Sequence, residues 1–239
     1  MSLPTRSLES SNSLDAQSFE LFFQHWLINQ ERYLQQLVRI IECGNDEEND
    51  IRCNGLIQEV MAHLNQYYEA KERVARENVF LVFTPTWFSS FERTYLWIGG
   101  FRPGLAIRIV INNVLDLTGD QSERINALMA QVKELEKELT EELARVQAGL
   151  VSPSLVELAR PTGRPRNGEE ANADSAIEHL AAYMEGLLQC ADFLRKRTIV
   201  KLVETLKPAQ TIRFLAAAIN LQLRIRSWGM QRDAPNHLV

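Results

Sequence analysis

Tyr95-Leu96-Trp97-Ile98-Gly99-Gly100-Phe101-Arg102-Pro103 interrupts an otherwise helix-patterned chain. Two adjacent glycines suit a helix C-terminus, where the left-handed conformation carries no Cβ penalty. Pro103 suits the first turn of a following helix, where its missing N–H is not needed. The stretch predicts a sharp corner between two helices. Arg102 stands there between Trp97 and Phe101, placed to pack on an aromatic ring while its donors reach a carboxylate or helix-terminal carbonyls. On this reading Trp97, Gly99, Gly100, Arg102 and Pro103 form a structural unit, and loss of Arg102 is expected to destabilise the whole bundle.

Outward from the corner, apolar residues recur at spacings of three and four. Ser18 is expected to cap a first helix carrying Phe19, Phe22, Phe23, Trp26 and Leu27, and Gly44 to stop it. A second helix is expected from about Asp50 to Glu77, closing an antiparallel hairpin. Residues 79–87, broken by Thr84-Pro85-Thr86, read as an irregular or briefly extended connection. A short helix over 89–98 then leads into the corner, and Pro103 opens a helix ending near Leu117. Ile125, Leu128, Val132, Leu135, Leu139, Leu143 and Val146 form a heptad-like seam, suited to a homodimeric coiled coil or, as favoured here, to packing inside a bundle. Residues 150–173, with Pro161-Thr162-Gly163-Arg164-Pro165, read as a disordered linker, and the AT-hook-like Gly163-Arg164-Pro165 is too short a signal to build on. Two last helices follow, over 174–206 and from Pro208 to about Trp228. The predicted fold is all-α: a single helical bundle of six to eight helices over residues 18–233, with a disordered linker before the last pair, a disordered N-terminus over 1–17 and a tail over 234–239.

Composition agrees. The 239 residues are 45% hydrophobic and 24% charged, with only 11 Gly and 8 Pro, which favours helices over a sandwich or barrel. No apolar run approaches the roughly 20 residues of a membrane span. Residues 1–17 lack the apolar centre of a secretory signal. The three cysteines, Cys43, Cys53 and Cys190, have neither disulfide nor metal spacing. The net charge is −5, yet from Cys190 onward nine Lys or Arg face three Asp or Glu. Such a basic end can meet an acidic partner or pair with acidic helices of the same molecule.

No nucleophile–base pair, metal cluster or phosphate-binding loop is evident, and His25, His63, His179 and His237 lack ligand spacing, so no catalytic residue and no metal site is assigned. Phe22, Trp26, Trp87, Phe91 and Trp97 are candidates to line an elongated apolar cavity, although aromatic stripes at helical spacing usually pack as core. Arg195, Lys196, Arg197 and Lys201, interleaved with apolar residues, resemble a basic amphipathic helix that contacts calmodulin or an anionic surface. The alternative is an outward bundle face.

The corner, Thr84-Pro85-Thr86-Trp87 before it, Leu206-Lys207-Pro208-Ala209-Gln210 and Ser227-Trp228-Gly229-Met230-Gln231-Arg232-Asp233 together resemble the plant Delay of Germination domain family, over roughly Ser18 to Asp233. That family includes a seed-dormancy regulator, the C-terminal domain of TGA-type bZIP transcription factors and a pollen-aperture protein. The resemblance implies a non-enzymatic regulatory protein of the nucleus or cytoplasm, acting by protein–protein interaction in transcriptional or developmental control. Clade A protein phosphatases or a transcriptional coactivator are the implied partners, and dormancy and abscisic-acid signalling the leading context. Pollen aperture patterning is the other. It also implies a competing role as a small-molecule sensor that holds an acyl chain or haem. The positions matching the dormancy regulator's haem-linked histidines are Gln222 and Arg226, neither a usual iron ligand. The TGA factors suggest sequence-specific DNA binding, but no basic region precedes the heptad-like seam here, so direct DNA contact is disfavoured.

Overall fold

The computed structural model describes the backbone of residues 5–43, 47–149 and 169–234, and side chains over 17–43, 51–149 and 175–234. Among the described residues there are seven helices and no strand: α1 Thr5–Cys43, α2 Glu47–Phe83, α3 Ser90–Arg93, α4 Gly104–Asn113, α5 Gly119–Gly149, α6 Glu169–Thr205 and α7 Pro208–Asp233. The all-α expectation is met. None of these helices is long and apolar enough to cross a membrane. Most of the expected linker, the AT-hook-like tripeptide and residues 235–239 of the tail lie outside the described residues.

Several boundaries differ from expectation for local reasons. Helix α1 begins at Thr5, so Ser18 lies inside it and the segment expected to be disordered is helical from Thr5 onward. No Pro or Gly interrupts residues 5–17, and extending a helix beyond a packed nucleus costs little. Helix α2 runs on through the expected connection to Phe83, broken only at Asn78 (φ −154°, ψ 95°). The Asn78 side chain accepts from the Phe80 N–H (3.1 Å) and so restarts the helix. Helix α3 is one turn long, capped by a reciprocal Ser89–Glu92 box.

Helix α1 packs on α2 and α7, while α5 packs on α6 and α4, so the heptad-like seam is covered within the chain. Ile125 and Val132 are buried there, but Leu135 faces outward. One apolar cluster joins Leu37, Val60, Ile107, Val110, Leu202 and Phe214. A second is aromatic, with Phe19, Phe23, Trp26 and Trp87 packed on Val74 and Leu188.

The two C-terminal motifs tie helix ends together. Gln210 is buried; its Oε1 accepts from Lys207 N (2.9 Å) and Gln121 Nε2 (2.8 Å), and its Nε2 donates to the Asp116 carbonyl (3.0 Å). Gln121 in turn donates to the Thr205 carbonyl (2.9 Å). One buried amide pair thus satisfies backbone groups around α4, α5, α6 and α7, groups that burial would otherwise leave unpaired. At the far end of α7, the Asp233 carboxylate accepts from the N–H (2.6 Å) and hydroxyl of Ser90. Gly229 lets α7 approach the α3 cap, where a Cβ would lie 2.7 Å from Ser89 Cβ.

Candidate functional site

The Gly99–Gly100 corner is a hairpin-type turn rather than a helix terminus. Helix α3 has already ended at Arg93, and the chain steps through three-residue-bonded turns to Leu96. Trp97 N–H then donates to the Gly100 carbonyl (2.7 Å) and Gly100 N–H to the Trp97 carbonyl (3.3 Å). Both central residues have positive φ, Ile98 at 46° and Gly99 at 66°, the signature of a type I′ turn. Glycine accepts that geometry freely. A β-branched residue does not, and such strain persists only where the surroundings over-determine it, at a cost of about 1–3 kcal/mol.

The surroundings are two buried cations. Arg195 of α6 donates through Nη2 to the carbonyls of Trp97 and Ile98 (2.9 Å to the latter), and through Nε to the Phe101 carbonyl (2.7 Å). Lys71 of α2 donates to the Gly99 carbonyl (3.1 Å). Asp192 Oδ1 joins them, 2.6 Å from Lys71 Nζ and 2.5 Å from Arg195 Nη1. Four carbonyls of the turn therefore point at positive charge, and buried Ile98 packs with Leu187 and Ala191. Burial pulls the Lys71 ammonium down to about 8, against the opposing pull of Asp192. Tyr67 and Tyr68, whose rings lie 5.7 and 5.2 Å from Lys71 Nζ, are pushed well above the ordinary phenol range by the same burial.

Arg102, expected to stabilise the corner, is 52% exposed. It does lie over the Trp97 ring (5.4 Å), but reaches Glu136 only at 3.6 Å. Glu136 is already engaged, accepting from Gly104 N (2.7 Å) at the start of α4. The arginine that bonds to the carbonyls of the turn is Arg195 rather than Arg102. Arg102→Ala should lower stability by no more than about 1 kcal/mol, the range of exposed ion pairs, as read from urea unfolding. Pro103 precedes α4 as expected, and Trp97 donates from Nε1 to Thr140 (2.9 Å).

Behind the turn lies an apolar cavity of about 190 Å³, between α1, α2, α4, α6 and α7. Of the five aromatics expected to line a pocket, only Trp26 does so. Trp87 is held in the aromatic core, 4.4 Å from Phe19, and Phe22 packs at its edge. Phe91 stands against Tyr95 and Arg232, and Trp97 faces α5. Tyr67, Tyr68, Phe88, Phe101 and Phe214 take their place, with Lys71 and Arg195 at the wall. Helical spacing marked the apolar faces but could not show which rings meet at a packing gap.

Gln222 and Arg226 offer no iron ligand. Gln222 accepts from Gln30 (2.9 Å), and Arg226 reaches Glu92 (3.2 Å) and the Trp87 carbonyl (3.2 Å). These residues do not fit haem. Among the described residues no group of three His, Cys, Asp or Glu is placed to hold a metal.

The basic stretch of α6 divides. Arg195 is 5% exposed and faces the core, so the four residues do not form one contact surface. Lys196 lies over Tyr68 (5.7 Å) and Lys201 pairs with Glu204 (2.7 Å), leaving Arg197 outward. Of the apolar residues interleaved with them, Leu194 is buried in the bundle, Ile199 and Val203 are half-buried, and Phe193 and Val200 are exposed. The signal for Lys71, Asp192 and Arg195 was present: each interrupts an apolar stripe, Lys71 between Tyr68 and Val74, the other two beside Leu188, Ala191 and Leu194. Charges that fall on a buried face must find partners there.

A family model described as DOG1, seed dormancy control, matches residues 33–112. Protein RESPONSE TO ABA AND SALT 1 of Arabidopsis thaliana is 34% identical over 92% of this chain and 99% of its own length. Protein DOG1-like 4 of the same plant is 29% identical over 96% of this chain and 100% of its length. Transcription factor TGA10, also of Arabidopsis thaliana, is 30% identical over 90% of this chain, which spans 47% of that factor. With full-length likeness on this scale joined to the all-α bundle and its motif-tied helix ends, the chain belongs to the DOG1 family.

Proposed function

We propose that the chain is a non-enzymatic regulatory protein that acts by binding other proteins through the outward face of α6. The observation that supports this is a stripe at alternating three- and four-residue steps, Tyr183, Gly186, Cys190, Phe193, Arg197 and Val200, exposed along its length. Tyr183 is 60% and Phe193 62% exposed, on a helix whose other face already fills the core. Exposed Tyr183, Phe193 and Val200, set along one side of the helix with Arg197 among them, are side chains of the kind a helix offers to a partner. The name of the relative RESPONSE TO ABA AND SALT 1 supports an abscisic-acid context, and the TGA relatives support transcriptional control, in nucleus or cytoplasm. Protein phosphatases and transcriptional coactivators are the partner classes to test.

Phe193→Glu with Val200→Glu should leave the melting temperature within about 2 °C, since exposed substitutions move stability by about 0.5 kcal/mol or less. The same pair should weaken phosphatase or coactivator binding by about tenfold or more, because losing an aromatic anchor costs about 2 kcal/mol. Binding by the folded double variant equal to wild type would remove α6 from the interface.

A second reading, a small-molecule sensor, is supported by the cavity. An apolar space of this size with two cations at its wall suits an amphipathic ligand whose binding stiffens the bundle beneath α6.

A further inference from the structure

We infer that the cavity behind the Gly99–Gly100 turn binds a compact organic carboxylate, its apolar body of about one aromatic ring among the cavity's rings and its carboxylate against Lys71 and Arg195. This rests on the sensor reading and narrows it. Three observations lead there.

The first is size. A protein cavity of about 150 Å³ accepts benzene, and this one is about 190 Å³. The pocket is partly open to solvent, and its interior takes one ring and a short side chain. The second is lining. Tyr67, Phe88, Phe101, Phe214 and Ile219 supply an apolar wall, which selects against a bare inorganic anion. The third is charge. Lys71 and Arg195 share the single carboxylate oxygen Asp192 Oδ1, so the buried cluster carries one positive charge in excess. Lys71 has three N–H donors and spends two, on Gly99 and Asp192. Arg195 has five and spends four, on Trp97, Ile98, Phe101 and Asp192. One donor on each cation remains, and both side chains line the cavity. A carboxylate supplies the missing charge and accepts both bonds.

The titratable and charged groups around Lys71 are Tyr67 and Tyr68 from α2 and Asp192, Arg195 and Lys196 from α6, and Arg102 also lines the cavity. Burial holds Lys71 near 8 while pushing both tyrosines upward, so Lys71 is the group that changes charge just above neutrality. A bound carboxylate favours its charged form, and affinity should therefore fall as pH rises through about 8.

Titration calorimetry of the full chain tests this with three probes: 3-phenylpropionate, its uncharged amide, and palmitate. The acid should bind at least about tenfold tighter than the amide, and raising the pH from 7 to 9 should erase most of that preference. Lys71→Met should remove the preference while its circular dichroism and melting transition report a folded bundle. Should that variant not fold, Ala218→Phe, which fills the cavity from α7, should abolish acid binding without touching the cations. Equal affinity for acid and amide would overturn the charge assignment. Binding of palmitate without 3-phenylpropionate would overturn the size assignment yet leave the sensor reading standing. No binding of any probe by folded wild type would end both.

Discussion

Arg195→Met should destabilise the bundle by about 3–5 kcal/mol, the range found when one member of a buried ionic cluster is removed. The side chain supplies one of the two cations on Asp192 and the donors for the Trp97, Ile98 and Phe101 carbonyls. Methionine keeps much of the volume and none of the donors. Carbonyls buried without partners cost about 1–3 kcal/mol each, and the positive φ of Ile98 loses the anchor that offsets it. For a chain of this length each kcal/mol moves the midpoint by about 2–4 °C, so a drop of roughly 10 °C is expected in a thermal melt. A shift under about 2 °C would mean that the turn holds itself.

Gly229→Ala should cost about 3 kcal/mol, at the upper end of overpacking. A Cβ at this position would fall within the Ser89 hydroxyl, 2.7 Å from Ser89 Cβ and 3.2 Å from Phe91 Cβ. None of these is the free end of a long side chain, so relief requires α3 to move off α7. That movement would open the Ser90–Asp233 contact and pull Glu92 from Arg226. Urea unfolding should show the loss, and Ser89→Ala should not rescue it because the obstructing Cβ stays. Wild-type stability in the Gly229→Ala variant would show that the α3–α7 contact is slack.

Much of the fold was legible because periodicity reports burial: Leu37, Val60, Val110, Ile125 and Leu202 sit where apolar spacing puts them. The motifs were legible as a set, and the corner and the two C-terminal motifs hold a turn and helix ends. What the sequence did not disclose is which of two arginines faces inward. Arg102 is flanked by aromatics in sequence, whereas Arg195 meets Trp97 (5.4 Å) and the turn carbonyls only across 94 residues or more. A basic run hid it: of its neighbours, Lys196 is half-buried over Tyr68 and Arg197 is exposed. Helix α3 was overestimated because Trp97 gives its N–H to Gly100, a choice fixed by the turn rather than by local propensity. The cavity was misassigned because it is a gap between five helices, and spacing along one helix carries no record of the others.

Native-state hydrogen exchange at the amides of Trp97 and Gly100 tests most directly whether the buried cations hold the turn. In Arg102→Ala both amides should exchange as slowly as in wild type. In Arg195→Met their protection should collapse by more than the global loss of stability accounts for, while amides in the middle of α5 follow the global change alone. Equal protection of Trp97 and Gly100 in Arg195→Met and wild type, or a collapse in Arg102→Ala, would contradict the account.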